Sequence, residues 1–329
     1  MYHRSDWPEA GLTSAWEERN PPGPLPRPAD DDGWTRETRF GDFAVRWSAG
    51  RNAFESGLYG FDMWDLRVEA SNDRASRSAA LDALRGHLAA EIGGVLESLP
   101  AQIDYLYSKV VGAEPLHQAL SGLGFQEIEH RRLYRTPVSE LIPATRPDAG
   151  GGITYGTLAD APEPARTRQR EQILDLCREA FGQQGHSRHY TDPVLLERLP
   201  GLAYTLAVMQ LNFDRLAPSD FLVAVDPRDG RVCGFSVLER KTGLPGTVYT
   251  QLLSAVGRDH RGRGIYQGLT GLLLRRLPSD AVLLNVTHAA NRSMQNAYLQ
   301  SGRVHLADTT ILRRVSHRTL PRHIPFTER

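Results

Sequence analysis

The stretch Thr247–Leu277 constrains this chain more than any other. An extended apolar run, Thr247–Ala255 (TVYTQLLSA), leads into Val256–Leu277 (VGRDHRGRGIYQGLTGLLLRRL), whose second half has helical apolar spacing. Between strand and helix lies Arg261-Gly262-Arg263-Gly264-Ile265-Tyr266. Glycines let the backbone approach a ligand closely, and a helix that starts there points unpaired N–H groups outward. Those groups and the helix dipole favour a phosphate, and Arg258, Arg261 and Arg263 add positive charge. The stretch reads as a pyrophosphate cradle built on a strand–turn–helix.

Two common phosphate motifs are excluded. No Gly-x-x-x-x-Gly-Lys-Ser/Thr occurs, and Gly262-x-Gly264 is not completed by a third glycine, because position 267 is Gln. The formal net charge of zero gives no electrostatic case for nucleic acid or a membrane surface. No run of about 18 apolar residues is present, and the N-terminus has no apolar leader. Cys177 and Cys233 offer neither metal-ligand spacing nor a disulfide framework, so no metal is expected and a reducing cytoplasm fits.

The order of elements predicts an α/β chain in two halves. Residues 1–34, proline-rich and then acidic, read as an extended segment. A first half, 35–140, shows strands at Phe40–Trp47 and Met63–Val68, an aromatic turn region at Phe54–Phe61 and a long amphipathic helix at Ala75–Leu99. A strand, a short helix ended by Gly124, and a last strand follow. Residues 141–152, with prolines and a triple glycine, read as a linker, and 317–329 as a tail. The second half, 153–316, reads β-α-α-β-β-β-α-β-α-β. Placing Gly124 on Gly302 matches Ile128 with Leu306, Leu133 with Ile311 and Arg135 with Arg313, the pattern of a repeat. The match fails where chemistry would sit: Tyr298 falls on Leu120, Asn291 on Ala113, and the first half has no glycine turn between Val68 and Leu81.

The cradle resembles the acyl-CoA turn of GCN5-related N-acetyltransferases, Arg/Gln-x-x-Gly-x-Gly/Ala, as Arg261-x-x-Gly264-x-Tyr266, with a bulky Tyr where the family has a small residue. Asn291…Tyr298…Gly302 resembles the family's Asn…Tyr…Gly helix, although Arg303 stands where Phe is usual. The resemblance covers roughly residues 150–315. It implies two such α/β halves, each a mixed sheet flanked by helices, with the first degenerate. It also implies acetyl-CoA or another acyl-CoA as donor. The backbone at Arg263, Gly264, Ile265 and Tyr266 would hold the pyrophosphate, with Gly262 in the turn and Asn291 contacting the cofactor. An N–H near Leu252 or Leu253 would face the oxyanion, and Tyr298 would serve the thiolate as proton donor. Glu239 or His288 would be the base.

The acceptor implied is the primary amine of a small molecule. His186, Arg188, His189, Tyr190 and Tyr204, with Asn285 on the strand 281–287, are its expected contacts. The stretch around Gly185–Pro193 resembles N-acyltransferases of dTDP-4-amino-4,6-dideoxyhexoses, which suggests a nucleotide-linked amino sugar. Two alternatives stay open: a biosynthetic acyltransferase served by an acyl carrier protein, with Tyr266 crowding the CoA pyrophosphate, and a non-catalytic acyl-CoA-binding protein. A monomer or homodimer is expected.

Overall fold

The computed structural model describes residues 33–40, 43–72, 89–99, 103–111, 114–142, 152–182, 185–241 and 246–316. The expected tail, nearly all of the N-terminal segment and most of the linker lie outside these residues. The described chain is mixed α/β and gathers into two compact units. One comprises residues 1–130, 192–198 and 308–329; the other comprises 131–191 and 199–307.

In the first unit, β1 (Gly33–Phe40) and β2 (Phe43–Arg51) pair antiparallel, with Phe40 opposite Phe43. The expected single strand Phe40–Trp47 is therefore two strands, and the chain reverses between them. Helix α1 (Ala53–Tyr59) replaces the expected aromatic turn, because Asn52 caps it by accepting the Glu55 N–H at 3.0 Å. Strand β3 (Met63–Asn72) follows and pairs antiparallel with β2. Helix α2 is described over 89–98, where Ile92 and Val95 face the core, as does Leu99 just beyond it; Leu81, Leu84 and Leu88 lie outside the described residues. Then come β4 (Tyr105–Val111), α3 (Glu114–Gly122) and β5 (Gln126–Pro137). Strands β3 and β4 are parallel, and the later residues of β11 (His305–Val315) close the sheet against β4. Trp47, Trp64, Leu66, Ile92, Leu116, Leu120 and Phe125 belong to one apolar cluster.

The second unit runs β6 (Thr154–Thr157), α4 (Glu163–Phe181), α5 (Arg188–Thr191), α7 (Gly201–Arg215), β7 (Phe221–Asp226), β8 (Arg231–Lys241), β9 (Val248–Val256), α8 (Ile265–Arg276), β10 (Val282–His288) and α9 (Arg292–Gln300). The short α6 (Pro193–Arg198) falls in the first unit. Strands β6 to β9 pair antiparallel in sequence, β9 and β10 are parallel, and residues 131–137 of β5 pair antiparallel with β10. Val232 to Glu239 of β8 are all buried, so both faces of this strand are covered. Ile265, Leu269, Leu272 and Leu273 form the inward stripe of α8, each contributing about 2 kcal/mol on burial. This is the expected order, with two short helices added before α7.

The repeat is visible in the backbone. Gly124 and Gly302 each follow a short helix, with φ of 85° and 78°, a left-handed conformation that glycine adopts without strain. Each precedes the strand that ends its half.

Candidate functional site

The site begins where two strands part. The parallel pairing of β9 with β10 runs from Val248↔Val282 to Gln251↔Asn285 and stops. Both strands continue, β9 to Val256 paired with β8, and β10 to His288 paired with β5. Leu252–Val256 therefore have no β10 partner among the described residues, and a wedge opens in the sheet. Beside the opening, Val237 faces Leu253 and Leu238 faces Gln251, so Leu252 is an extra residue in β9. Such a bulge re-aims the backbone locally.

At the far end of β9 the cradle follows a 3-10 turn at Arg258–His260. Gly262 and Gly264 both have φ of 74°. Gly264 is the N-cap of α8, and no side chain caps the helix. The first-turn N–H groups of α8 consequently lack the side-chain acceptor that α9 has in Asn291. Arg258, Arg261 and Arg263 are exposed around this end. The Gly257 N–H donates to the Cys233 carbonyl at 2.9 Å, His260 pairs with Asp226 at 3.2 Å, and the Arg258 N–H donates to the Glu179 carboxylate. These contacts tie the turn to β7, β8 and α4.

Tyr266 does not crowd the turn. Its ring is buried with Tyr134 and Tyr298, and its hydroxyl donates to Gln251 Oε1 at 3.0 Å. Gln251 is the hub of a buried polar cluster. Its Oε1 also accepts from Asn285 Nδ2 at 2.6 Å and from Arg303 Nη2 at 3.2 Å, while Nε2 donates to Ser236 and Ser254 Oγ, each at 2.6 Å. Every amide position is used, which fixes the side-chain orientation. Arg303 stacks its guanidinium over the rings of Tyr298 and Tyr266, 4.7 and 5.4 Å from the centroids. Tyr298 is 4% exposed, and its ring meets that of Tyr134 edge-on at 5.0 Å. Burial pushes both phenols above the ordinary range, and for both the Arg303 charge opposes the shift.

The residues expected to contact an acceptor are only partly gathered. The rings of His186 and His288 stack at 5.4 Å. His189 stacks on Tyr204 at 3.5 Å, both buried, and the Tyr190 hydroxyl shares a 2.6 Å hydrogen bond with Thr205. Arg188 is buried on the same short helix, and Asn285 lies in the polar cluster. Asp192, from the same loop, instead belongs to the first unit, where it accepts from the Tyr105 hydroxyl at 2.6 Å and pairs with Arg313 at 2.8 Å.

Three expected roles meet different geometry. Glu239 is buried and holds Arg215 at 2.6 Å and Lys241, so both carboxylate oxygens serve cations rather than an incoming amine. His288 Nδ1 accepts the Ala290 N–H at 3.0 Å, which places the proton of the neutral ring on Nε2 and occupies its basic nitrogen. Asn291 caps α9 by accepting the Met294 N–H at 3.1 Å. Gln251, Ser236, Ser254 and Arg303 were not among the expected site residues. The available signals were a Gln within an apolar strand and an Arg directly after a helix-ending glycine.

Among the described residues, no group of three or more His, Cys, Asp or Glu could hold a metal ion, and no helix is long and apolar enough to cross a membrane. No protein-family profile and no curated protein matches the chain. Solved structures similar to it include a GCN5-related N-acetyltransferase from Sphaerobacter thermophilus, at 16% identity over 83% of this chain and 80% of the other, with a TM-score of 0.48. A tandem GNAT protein from the clavulanic acid biosynthesis pathway is similar at 14% identity over 89% and 85%, with a TM-score of 0.45. A GCN5-related N-acetyltransferase from Kribbella flavida is similar at 13% identity over 84% and 88%, with a TM-score of 0.44. At these values none of them specifies an activity for this chain.

Proposed function

We propose that the second unit transfers an acyl group from acyl-CoA to the primary amine of a small molecule. The observation that carries this reading is the combination of an uncapped, glycine-preceded helix end at α8 with a wedge between β9 and β10 that closes at Gln251 and Asn285, from which Arg303 reaches the Tyr298 ring. The first-turn N–H groups of α8 offer an anion site, and three exposed arginines add charge beside it. The edge of β9 at Leu252–Val256, without a strand partner on that side, suits an extended pantetheine arm, whose amides can pair with backbone as an added strand does. Together these features hold a long phosphorylated thioester with its reactive end at the apex.

At the apex the chemistry follows from charge. An amine attacking the thioester carbonyl places negative charge on oxygen, and the Leu252–Leu253 backbone at the bulge is the nearest preorganised donor set on β9. Collapse then places charge on sulfur, where the Tyr298 hydroxyl is the donor. With Glu239 and His288 both engaged, the ammonium proton leaves through water. The inward ring of Tyr266 supports CoA as donor, since the crowding that would have favoured a carrier protein is not there. Acceptor contacts fall to the partly exposed His186, Tyr190 and His288. A nucleotide-linked amino sugar belongs among the first amines to try, on the sequence resemblance.

Mass spectrometry of products from acetyl-CoA and a panel of primary amines tests the reading. Tyr298→Phe should lower kcat by about 10²-fold, the usual cost of losing one positioned hydrogen-bond donor to a developing anion, with little change in the KM for acetyl-CoA. Full turnover by Tyr298→Phe would remove that residue's role. Absence of CoA binding by the intact protein would remove the donor site.

A further inference from the structure

Arg303 is the anomaly of the second unit. It is 2% exposed, yet its hydrogen-bond partners are neutral: Ser301 Oγ at 2.8 Å from Nη1 and Gln251 Oε1 from Nη2, with two phenol rings beneath the guanidinium. Its Nε–H is buried without a partner. Among the described residues no carboxylate forms an ion pair with it. A buried charge without a counter-ion is expensive, and chains usually avoid it or pair it. The first unit avoids it. There Phe125 follows the equivalent glycine, 3% exposed, and Leu120 takes the place of Tyr298 in an apolar cluster. The unpaired cation thus occurs in the half that has the glycine cradle, at the residues where β9 and β10 separate.

A positive charge kept without a protein counter-ion suits a site that becomes negative during turnover. We propose that Arg303 is a positioning residue for the leaving group: acting through the Tyr298 ring and hydroxyl, its charge holds the departing sulfur of CoA as a thiolate. The proposal rests on the acyl-CoA reading above. In the step concerned the amine nitrogen–carbon bond is formed, the carbon–sulfur bond breaks and its electron pair leaves on sulfur. The surplus proton of the nitrogen passes to water. Tyr298 keeps its proton and donates a hydrogen bond, consistent with a phenol whose burial opposes ionisation. A guanidinium over the ring face draws electron density from the ring and strengthens that O–H as a donor. The shared acceptor Gln251 is uncharged, so it orients Arg303 without cancelling it.

Calorimetric binding of CoA and of desulfo-CoA, which lacks the sulfur, tests this with no acceptor amine. For the intact protein at pH 8, CoA should bind about tenfold more tightly than desulfo-CoA, as expected for one charge-assisted hydrogen bond, and the ratio should grow towards pH 9. Arg303→Phe installs the residue of the first unit and should bring the ratio to about one. Gln251→Glu keeps Arg303 but supplies the missing counter-charge, and should lower the ratio as well. Arg303→Lys keeps the charge and should retain most of it. These two variants decide the matter if Arg303→Phe does not fold. Equal affinities in the intact protein, or a ratio unchanged by both Arg303→Phe and Gln251→Glu, overturn the thiolate proposal and leave the donor site standing. Failure of both ligands to bind overturns the donor reading, and this proposal with it.

Discussion

Replacing Gln251 with Leu should selectively destabilise the second unit. The substitution removes one acceptor used by three buried donors: Tyr266 hydroxyl at 3.0 Å, Asn285 Nδ2 at 2.6 Å and Arg303 Nη2 at 3.2 Å. It also removes the donor that serves Ser236 and Ser254, but those hydroxyls already share a 3.0 Å contact and can rotate to serve each other. A stranded buried donor costs about 1–3 kcal/mol, and three of them, less about 2 kcal/mol gained from burying leucine, come to about 4 kcal/mol within a range of about 1–7. Against a domain stability of about 5–15 kcal/mol, that brings the unit close to unfolding. Hydrogen exchange read on peptides covering 248–256 and 282–288 measures the effect directly. Since every 1.4 kcal/mol is tenfold, protection should fall by about 10² or more. All five tryptophans precede residue 65, so tryptophan fluorescence reports the first unit and should unfold at an unchanged denaturant midpoint. A loss of protection below tenfold would show that the cluster does not hold β9 and β10 at their apex, and the account of Gln251 as hub would be wrong.

Two other variants probe the turn and its anchor. Gly264→Ala meets open space, so its cost is that of a left-handed residue, about 1–2 kcal/mol, and CoA affinity should fall with stability; unchanged affinity in a calorimetric titration would count against the cradle. The Arg228 guanidinium, and then His260, hold the Asp226 carboxyl below its ordinary 3.8, so this group stabilises the fold above that pH and loses its contribution as pH falls through the lower folded value. Asp226→Asn should therefore lower the urea midpoint at pH 7 and lower it less at pH 3, and equal losses at both would contradict the assignment.

Local features of the site were legible in the sequence, and convergent ones were not. Gly262 and Gly264 announce a left-handed turn because few other residues accept that φ, and α8 announces itself by its apolar spacing. The repeat fails at Leu120 and Tyr298, and the structure sets Leu120 in an apolar cluster and Tyr298 against Arg303. Gln251 and Arg303 were opaque for a physical reason: they are 52 residues apart and meet through folding, and a buried unpaired arginine runs against every expectation of composition. Glu239 was nameable from its strand, but its pairing with Arg215, on α7, was not, since the two are 24 residues apart. Helix α1 was missed although Asn52-x-x-Glu55 is the pattern of a helix start.

The exchange of end strands has a consequence for how such a chain can be made. The strand that closes the sheet beside β10 is encoded before residue 138, and the one that closes the sheet beside β4 is encoded after residue 307. A protease cut or gene split between the halves would yield two fragments, each carrying its neighbour's last strand and missing its own. During synthesis the earlier half stays unfinished, with the β4 edge bare, until β11 leaves the ribosome. Such an edge is prone to adding a strand from another chain, and dimers formed by swapping strands are the expected by-product of crowded expression.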